Sequence, residues 1–259
     1  MNANGTIFEQ VVSRYQAAFT VEMISTFDDL IVCEDPGNAS ELFSRHKGLD
    51  QFPVRIDGKV IGVVERWSAS RVHRLEECLL AAAKEPLGQF LPSLQARKYM
   101  LVLRGRQVEG IVTRSDLTKL PVRLYSFSVI AHLEDLLAQL IEARFGSDSF
   151  KAELNAKRRR KFEDTFQKLK KEKMDPPPVE ALFLCDKCRI VSNAYGLGGS
   201  AQHELDEIER MRNQVAHMAT YANDQDDVCH FLRQLELACG WIPKLHEMLA
   251  KGRQPGKTD

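Results

Sequence analysis

Phe52-Pro53-Val54-Arg55-Ile56-Asp57-Gly58-Lys59-Val60-Ile61-Gly62-Val63-Val64-Glu65 reads as two apolar, β-branched runs folded about Asp57-Gly58. That dipeptide suits a two-residue hairpin, whose central positions need positive φ. The design returns further on, where residues 99–103 and 108–113 flank Arg104-Gly105-Arg106. The two hairpins lie roughly 48 residues apart, which implies an imperfect internal duplication. Ahead of the first, Leu30-Ile31-Val32-Cys33 reads as a short strand closed by Asp35-Pro36-Gly37, and Asn38 as the N-cap of a helix over 39–46. Ahead of the second, residues 75–91 read as a helix rather than a strand. The chain opens with a helical stripe of Ile7, Phe8, Val11, Val12, Tyr15 and Phe19.

After Pro121 the strand signals stop. Leu133, Leu136, Leu137, Leu140 and Ile141 repeat at helical spacing until Phe145-Gly146, and a highly charged helix follows over about 149–173. Met174-Asp175-Pro176-Pro177-Pro178 is a hard break. Apolar stripes then recur in 179–195, 203–220 and 226–249. The expected fold class is therefore α+β over residues 1–121, an all-α bundle of about five helices over 122–253, and a disordered tail at 254–259.

Composition narrows the function classes. The chain has 259 residues, 36 basic and 36 acidic, so its formal charge is zero. Up to Pro121 the count is 15 against 15, and beyond it 21 against 21. Neither half is a basic nucleic-acid glove, and any phosphate-binding surface must come from local clustering. The longest uninterrupted apolar run is about five residues, Leu79 to Ala83, which implies no membrane span. The N-terminus has no basic region followed by an apolar one, and six cysteines suit a reducing compartment, so a cytoplasmic location is expected.

Gly110-Ile111-Val112-Thr113-Arg114-Ser115-Asp116 ends the second hairpin. It resembles the Gly-x-apolar-Thr-x-x-Asp signature of the cystathionine-β-synthase (CBS) domain family, and the strand–helix–strand–turn–strand order of the first half resembles a CBS β-α-β-β pair. The resemblance implies a sensor for an adenine nucleotide (AMP, ADP or ATP). Thr113 and Asp116 would hold the ribose diol, and the following helix N-terminus would face phosphate. The matching stretch of the first repeat, Gly62-Val63-Val64-Glu65-Arg66-Trp67-Ser68, has Glu and Ser in place of Thr and Asp. One nucleotide per chain is the expectation.

Arg212-Asn213-Gln214-Val215-Ala216-His217 lies on the fourth helix of the bundle. At 100° per residue, Leu205, Ile208, Met211, Val215 and Met218 form the buried stripe, Asn213 and His217 share a face nearly opposite it, and Arg212 sits at its edge. The motif and the five-helix setting resemble the HEPN (higher eukaryote and prokaryote nucleotide-binding) superfamily, whose ribonuclease members carry Arg-polar-x-x-x-His on a late helix. Residues 131–137 are similar to that family's first helix. The resemblance implies metal-independent cleavage of single-stranded RNA by a homodimer, with Arg212, Asn213 and His217 as catalytic residues. His217 would move protons near neutral pH and Arg212 would stabilise the pentacoordinate phosphate. By the same resemblance, a sensor joined to such a nuclease looks like a bacterial stress or antiviral effector.

Two other readings stay open. One is a non-catalytic module that senses nucleotide and dimerises. The other is a toxin–antitoxin partner modified at Tyr221, although that tyrosine stands four residues after His217 rather than two. Lys157-Arg158-Arg159-Arg160-Lys161 fits an RNA-backbone contact or a solvated helix face. Cys185-Asp186-Lys187-Cys188 lacks the two further ligands zinc would need, with only Cys229-His230 near in sequence, so no metal site is expected. Glu204, Asp206, Glu207 and Glu209 match the acidic N-terminal half of a helix.

Overall fold

The structure is a computed structural model that describes residues 7–172, 175–216 and 225–252. Its elements run α1 (Ile7–Ala18), α2 (Ala39–Arg45), β1 (Gln51–Ile56), β2 (Lys59–Glu65), β3 (Val72–Arg74), β4 (Leu80–Ala82), α3 (Leu87–Phe90), α4 (Ser93–Ala96), β5 (Tyr99–Arg104), β6 (Gln107–Thr113), α5 (Leu120–Phe145), α6 (Ala156–Glu172), α7 (Leu184–Ala194), α8 (Gly198–Ala216) and α9 (Gln225–Gly252). The fold is thus mixed α+β, with two three-stranded sheets followed by a helical region. The described residues form two compact units. The first holds 7–125 with 225–229, and the second holds 126–172, 175–216 and 230–252. Residues 217–224 and the tail at 253–259 lie outside the described residues, and with them His217, Met218 and Tyr221.

In the first unit the duplication is exact in register. Gln51 pairs with Glu65 as Tyr99 pairs with Thr113, and each ladder breaks at the same place, between Val54 and Arg55 and between Val102 and Leu103. Cys33 bridges Val54 in parallel, as Ala81 pairs in parallel with Val102. The two repeats share the antiparallel hairpin at an offset of 48 positions, but ahead of it only the second carries a strand, Leu80–Ala82; the strand expected over Leu30–Cys33 is reduced to the single bridge at Cys33. The hairpin turn at Asp57 and Gly58 has φ of 50° and 75°, as the sequence required. Val60 and Val63 of one sheet and Leu101 and Ile111 of the other meet in a shared apolar cluster. The backbone also closes in at the repeated glycine. A Cβ on Gly62 would sit 2.1 Å from the His73 carbonyl oxygen, and one on Gly110 would sit 2.7 Å from the Phe27 ring.

Two further expectations need correction. Residues 75–91 do not form one helix, because Leu80–Ala82 pairs with β5 and completes the second repeat. The Leu, Glu and Ala content favours a helix locally, and parallel pairing against a buried neighbour overrides that preference. Asn38 makes no side-chain cap on α2; its amide instead donates to Asp35 at 2.9 Å, and Asp35 also accepts from the Gly37 N–H.

The duplication extends to an arginine at the end of each hairpin. Arg66 donates to the carbonyls of Phe43, His46, Lys47 and Leu49, at 3.2, 2.9 and 3.1 Å for the first three. Arg114 donates to Leu94, Gln95 and Arg97 at 3.1, 2.7 and 3.1 Å. Three acceptor pairs, His46/Leu94, Lys47/Gln95 and Leu49/Arg97, are again 48 positions apart. The carbonyls after a helix lack intrahelical partners, and a guanidinium carries enough donors to satisfy several at once.

The helical region has the expected five helices, although the charged helix starts at Ala156, after a single 3₁₀ turn over Ser149–Glu153. Leu133, Leu136, Leu137, Leu140 and Ile141 are all fully buried. α5 is long and apolar enough to cross a membrane by length and composition, with a mean hydropathy of 1.2 in its most apolar window. Polar residues such as Ser126, Ser128 and His132 shorten its uninterrupted runs without lowering that mean far. Of the same window, 56% is buried inside the protein. Gln234 donates to Glu207 at 2.9 Å, and the Trp241 indole donates to Glu204 at 2.9 Å, which fastens α8 to α9.

Arg66→Ala and Arg114→Ala should each lower unfolding stability by about 1–2 kcal/mol, since several carbonyls lose a charged donor. Arg55→Ala, whose guanidinium lies 3.6 Å from Glu34 at the surface, should change it by less than about 0.5 kcal/mol. Urea denaturation followed by circular dichroism decides this. Equal losses in all three variants would remove the capping role.

Candidate functional site

α8 presents Arg212 and Asn213 as the helical periodicity requires. Leu205, Ile208 and Met211 are fully buried and Val215 is 3% exposed, while Arg212 is half-buried and Asn213 exposed. Arg212 Nη1 donates to Asn213 Oδ1 at 3.1 Å, so the two polar groups of the motif are joined. The third, His217, lies outside the described residues.

Arg212 and Asn213 open onto a cleft of about 230 Å³ that the sequence did not foretell. Arg158 and Lys161 line it from α6, Phe183, Leu184 and Cys185 from the start of α7, and Glu209 from α8. The basic run Lys157–Lys161 therefore divides. Lys157, Arg159 and Arg160 are exposed and take no part in the cleft, whereas Arg158, half-buried, and Lys161, exposed, stand three apart on the helix and line it. Lys161 Nζ lies 4.1 Å from the centre of the Phe183 ring, and the Arg158 guanidinium carbon lies 5.4 Å from it.

Arg158 is held by a forked bond to Asp186, with Nε 2.6 Å from Oδ1 and Nη2 2.5 Å from Oδ2. Nη2 also lies 2.9 Å from the Cys185 sulfur. The carboxylate keeps the guanidinium charged, raising its pKa above the ordinary arginine value against the opposing effect of burial. Burial pushes the Cys185 thiol up, helped by the Glu209 and Asp186 charges, and pushes Cys188 up strongly. Both therefore stay protonated near neutral pH, unlike thiolate nucleophiles or metal ligands. Among the described residues no three His, Cys, Asp or Glu side chains gather as a metal site.

The acidic residues of α8 have separate tasks. Glu204 accepts from Trp241, and Asp206 from Gln202 at 2.7 Å. Glu207 accepts from Gln234, with Arg210 2.8 Å away, and the Gln234 hydrogen bond is the main force holding its carboxyl below the usual range. Glu209 alone of the four lines the cleft, and its charge helps to push up the pKa of the Cys185 thiol. The sequence hid this residue because, with the helix expected to begin near 203, a glutamate at 209 falls in its N-terminal half; α8 in fact begins at Gly198 and places Glu209 past its middle, where the dipole gives no reason for it. Arg158 and Lys161 were visible only as members of a charge run.

Thr113 and Asp116 come together at the end of β6, and they bond to each other. Asp116 Oδ2 accepts from the Thr113 N–H at 2.6 Å and from its hydroxyl at 2.9 Å, while Oδ1 faces Lys119 Nζ at 2.8 Å. This is a capping box, in which side chain and backbone satisfy one another. Their first-repeat counterparts lie elsewhere in the polar chemistry. Glu65 accepts from the Tyr99 hydroxyl at 3.0 Å, and Ser68 lies 3.3 Å from His73 Nε2.

Asp186 is 5% exposed, so its replacement leaves a guanidinium without its partner in a partly buried place. Asp186→Ala should cost about 2–3 kcal/mol of stability in urea denaturation. A loss below about 0.5 kcal/mol would show that the pair fixes nothing.

No known protein family matches the chain, and no curated protein matches it. Four chains among the solved structures do. One is an uncharacterized conserved protein from Pyrococcus horikoshii, 20% identical, with the match covering 38% of this chain and 88% of that one at a TM-score of 0.32. That likeness carries no argument about function.

Proposed function

We propose that this chain is a metal-independent endoribonuclease of HEPN type, regulated by a CBS-like adenine-nucleotide sensor in its first half, and that it works as a homodimer in the cytoplasm. The observation that carries the reading is the joined pair Arg212 and Asn213 at the mouth of a cleft that also holds Arg158 and Lys161. Lys161, Arg212 and the Phe183 ring in one cleft suit single-stranded RNA, whose phosphates and bases they can meet together, while Arg158, paired with Asp186, shapes the wall.

The chemistry needs few parts. The ribose 2′-hydroxyl loses its proton to His217 and attacks the adjacent phosphorus. The bond to the 5′-oxygen breaks, and a proton returns to that oxygen. Arg212 spends one N–H on Asn213 and has others for the phosphate oxygens, where charge grows in the transition state. A second copy of the chain would bring a second Arg212 and His217, one histidine for each proton transfer.

Purified protein should cut single-stranded RNA in EDTA, leaving a 2′,3′-cyclic phosphate and a 5′-hydroxyl, and should spare DNA. Arg212→Ala and His217→Ala should each reduce the rate by on the order of a hundred-fold or more. Nucleotide belongs in one arm of the assay. Inert wild-type protein in both arms, or an equally active double variant, would leave the non-catalytic module in its place.

Nucleotide sensing at Thr113 and Asp116 requires the ribose diol to replace the bond between them. Calorimetric titration with AMP, ADP and ATP should therefore fit at most one site per chain, and both Thr113→Val and Asp116→Asn should abolish it. Unchanged heat in both variants would move the nucleotide elsewhere.

A further inference from the structure

A carboxylate beside a phosphate-binding cleft carries an electrostatic cost, because it repels the polyanion the cations attract. Glu204, Asp206 and Glu207 are occupied in bonds to Trp241, Gln202 and Gln234. Glu209 lines the cleft together with Lys161, Phe183 and Arg212. Cys185 shares that wall, and a thiol is only a weak donor that a stronger one outcompetes. A carboxylate can only accept, so the group it selects must donate.

We propose that this cleft is a guanine subsite for the RNA substrate: the base stacks on Phe183, its edge bonds to Glu209, and the neighbouring phosphate rests on Lys161. The inference builds on the RNA-cleaving reading above and adds a base preference to it. Guanine offers two adjacent donors, N1–H and the N2 amino group, spaced to meet both oxygens of one carboxylate. Adenine and cytosine each offer one amino group beside an acceptor nitrogen, which repels the second oxygen. Uracil places its single N–H between two carbonyls. Lys161 now lies over the Phe183 ring at 4.1 Å, and its flexible stem lets the ammonium swing to a phosphate as a base takes the ring face.

The test uses the full chain and 2′-O-methyl hexanucleotides, which cannot be cleaved because the attacking oxygen is blocked. Fluorescence anisotropy compares all-uracil RNA with versions carrying one central G, A or C. The G probe should bind about ten-fold more tightly than the others. Glu209→Gln should bring it within about two-fold of them, with an unchanged urea midpoint. Lys161→Ala should weaken all four probes alike. Equal affinity across the four, or a guanine preference that survives Glu209→Gln, overturns the subsite. The two readings fail separately: cleavage of natural RNA without base preference removes the subsite and keeps the nuclease, and guanine-selective binding without cleavage does the reverse.

Discussion

Two N–H groups of Arg158 meet two oxygens of Asp186, and that forked bond decides where the helical region keeps its positive charge. Asp186 is nearly buried in the first turn of α7, so the arginine is drawn out of the solvated run on α6 toward the α7 start. Lys161 lies one helical turn along the same face and reaches Phe183 as a result. A planar guanidinium held at two points cannot rotate freely, and the cleft wall it forms is fixed before any ligand arrives. With Asp186 neutralising it, Arg158 gives the cleft shape more than net charge.

The parts of the fold legible in the sequence were those set by short-range rules. The Asp57-Gly58 turn, the buried stripe of α8 and the five helical segments all follow from periodicity and turn chemistry. The failures have two causes. Residues 80–82 become a strand through pairing with β5, which lies almost twenty residues later in the chain. Asn38 turns to Asp35 because an Asx turn precedes the helix. The 48-residue offset was visible as two similar hairpins, but the twin arginines beneath them were not. Arg66 and Arg114 look like ordinary surface residues until the carbonyls they satisfy are known.

For the candidate site the division is similar. Arg212 and Asn213 could be placed on one helix from spacing alone. The residues facing them come from α6 and the α7 start, and no local pattern relates those segments to α8. Thr113 and Asp116 show the opposite case. Their spacing suits both a ribose site and a capping box, and a single spacing cannot separate the two because both need a hydroxyl and a carboxylate at a helix start.

On the proposed RNA-binding reading, the charge balance of the cleft constrains how it would work on a polyanion. Arg158 is neutralised by Asp186, and Glu209 offsets part of what Lys161 and Arg212 contribute. Even without that offset, Lys161 and Arg212 would release only about 1.4 counterions from a single strand, a small electrostatic contribution to affinity. Stacking and hydrogen bonds must supply the rest, and they depend on which base and which backbone geometry are presented. A site of this kind would gain its selectivity from fit rather than from attraction. Uniformly basic clefts bind every RNA and release it slowly. A carboxylate at their centre trades that general affinity for choice.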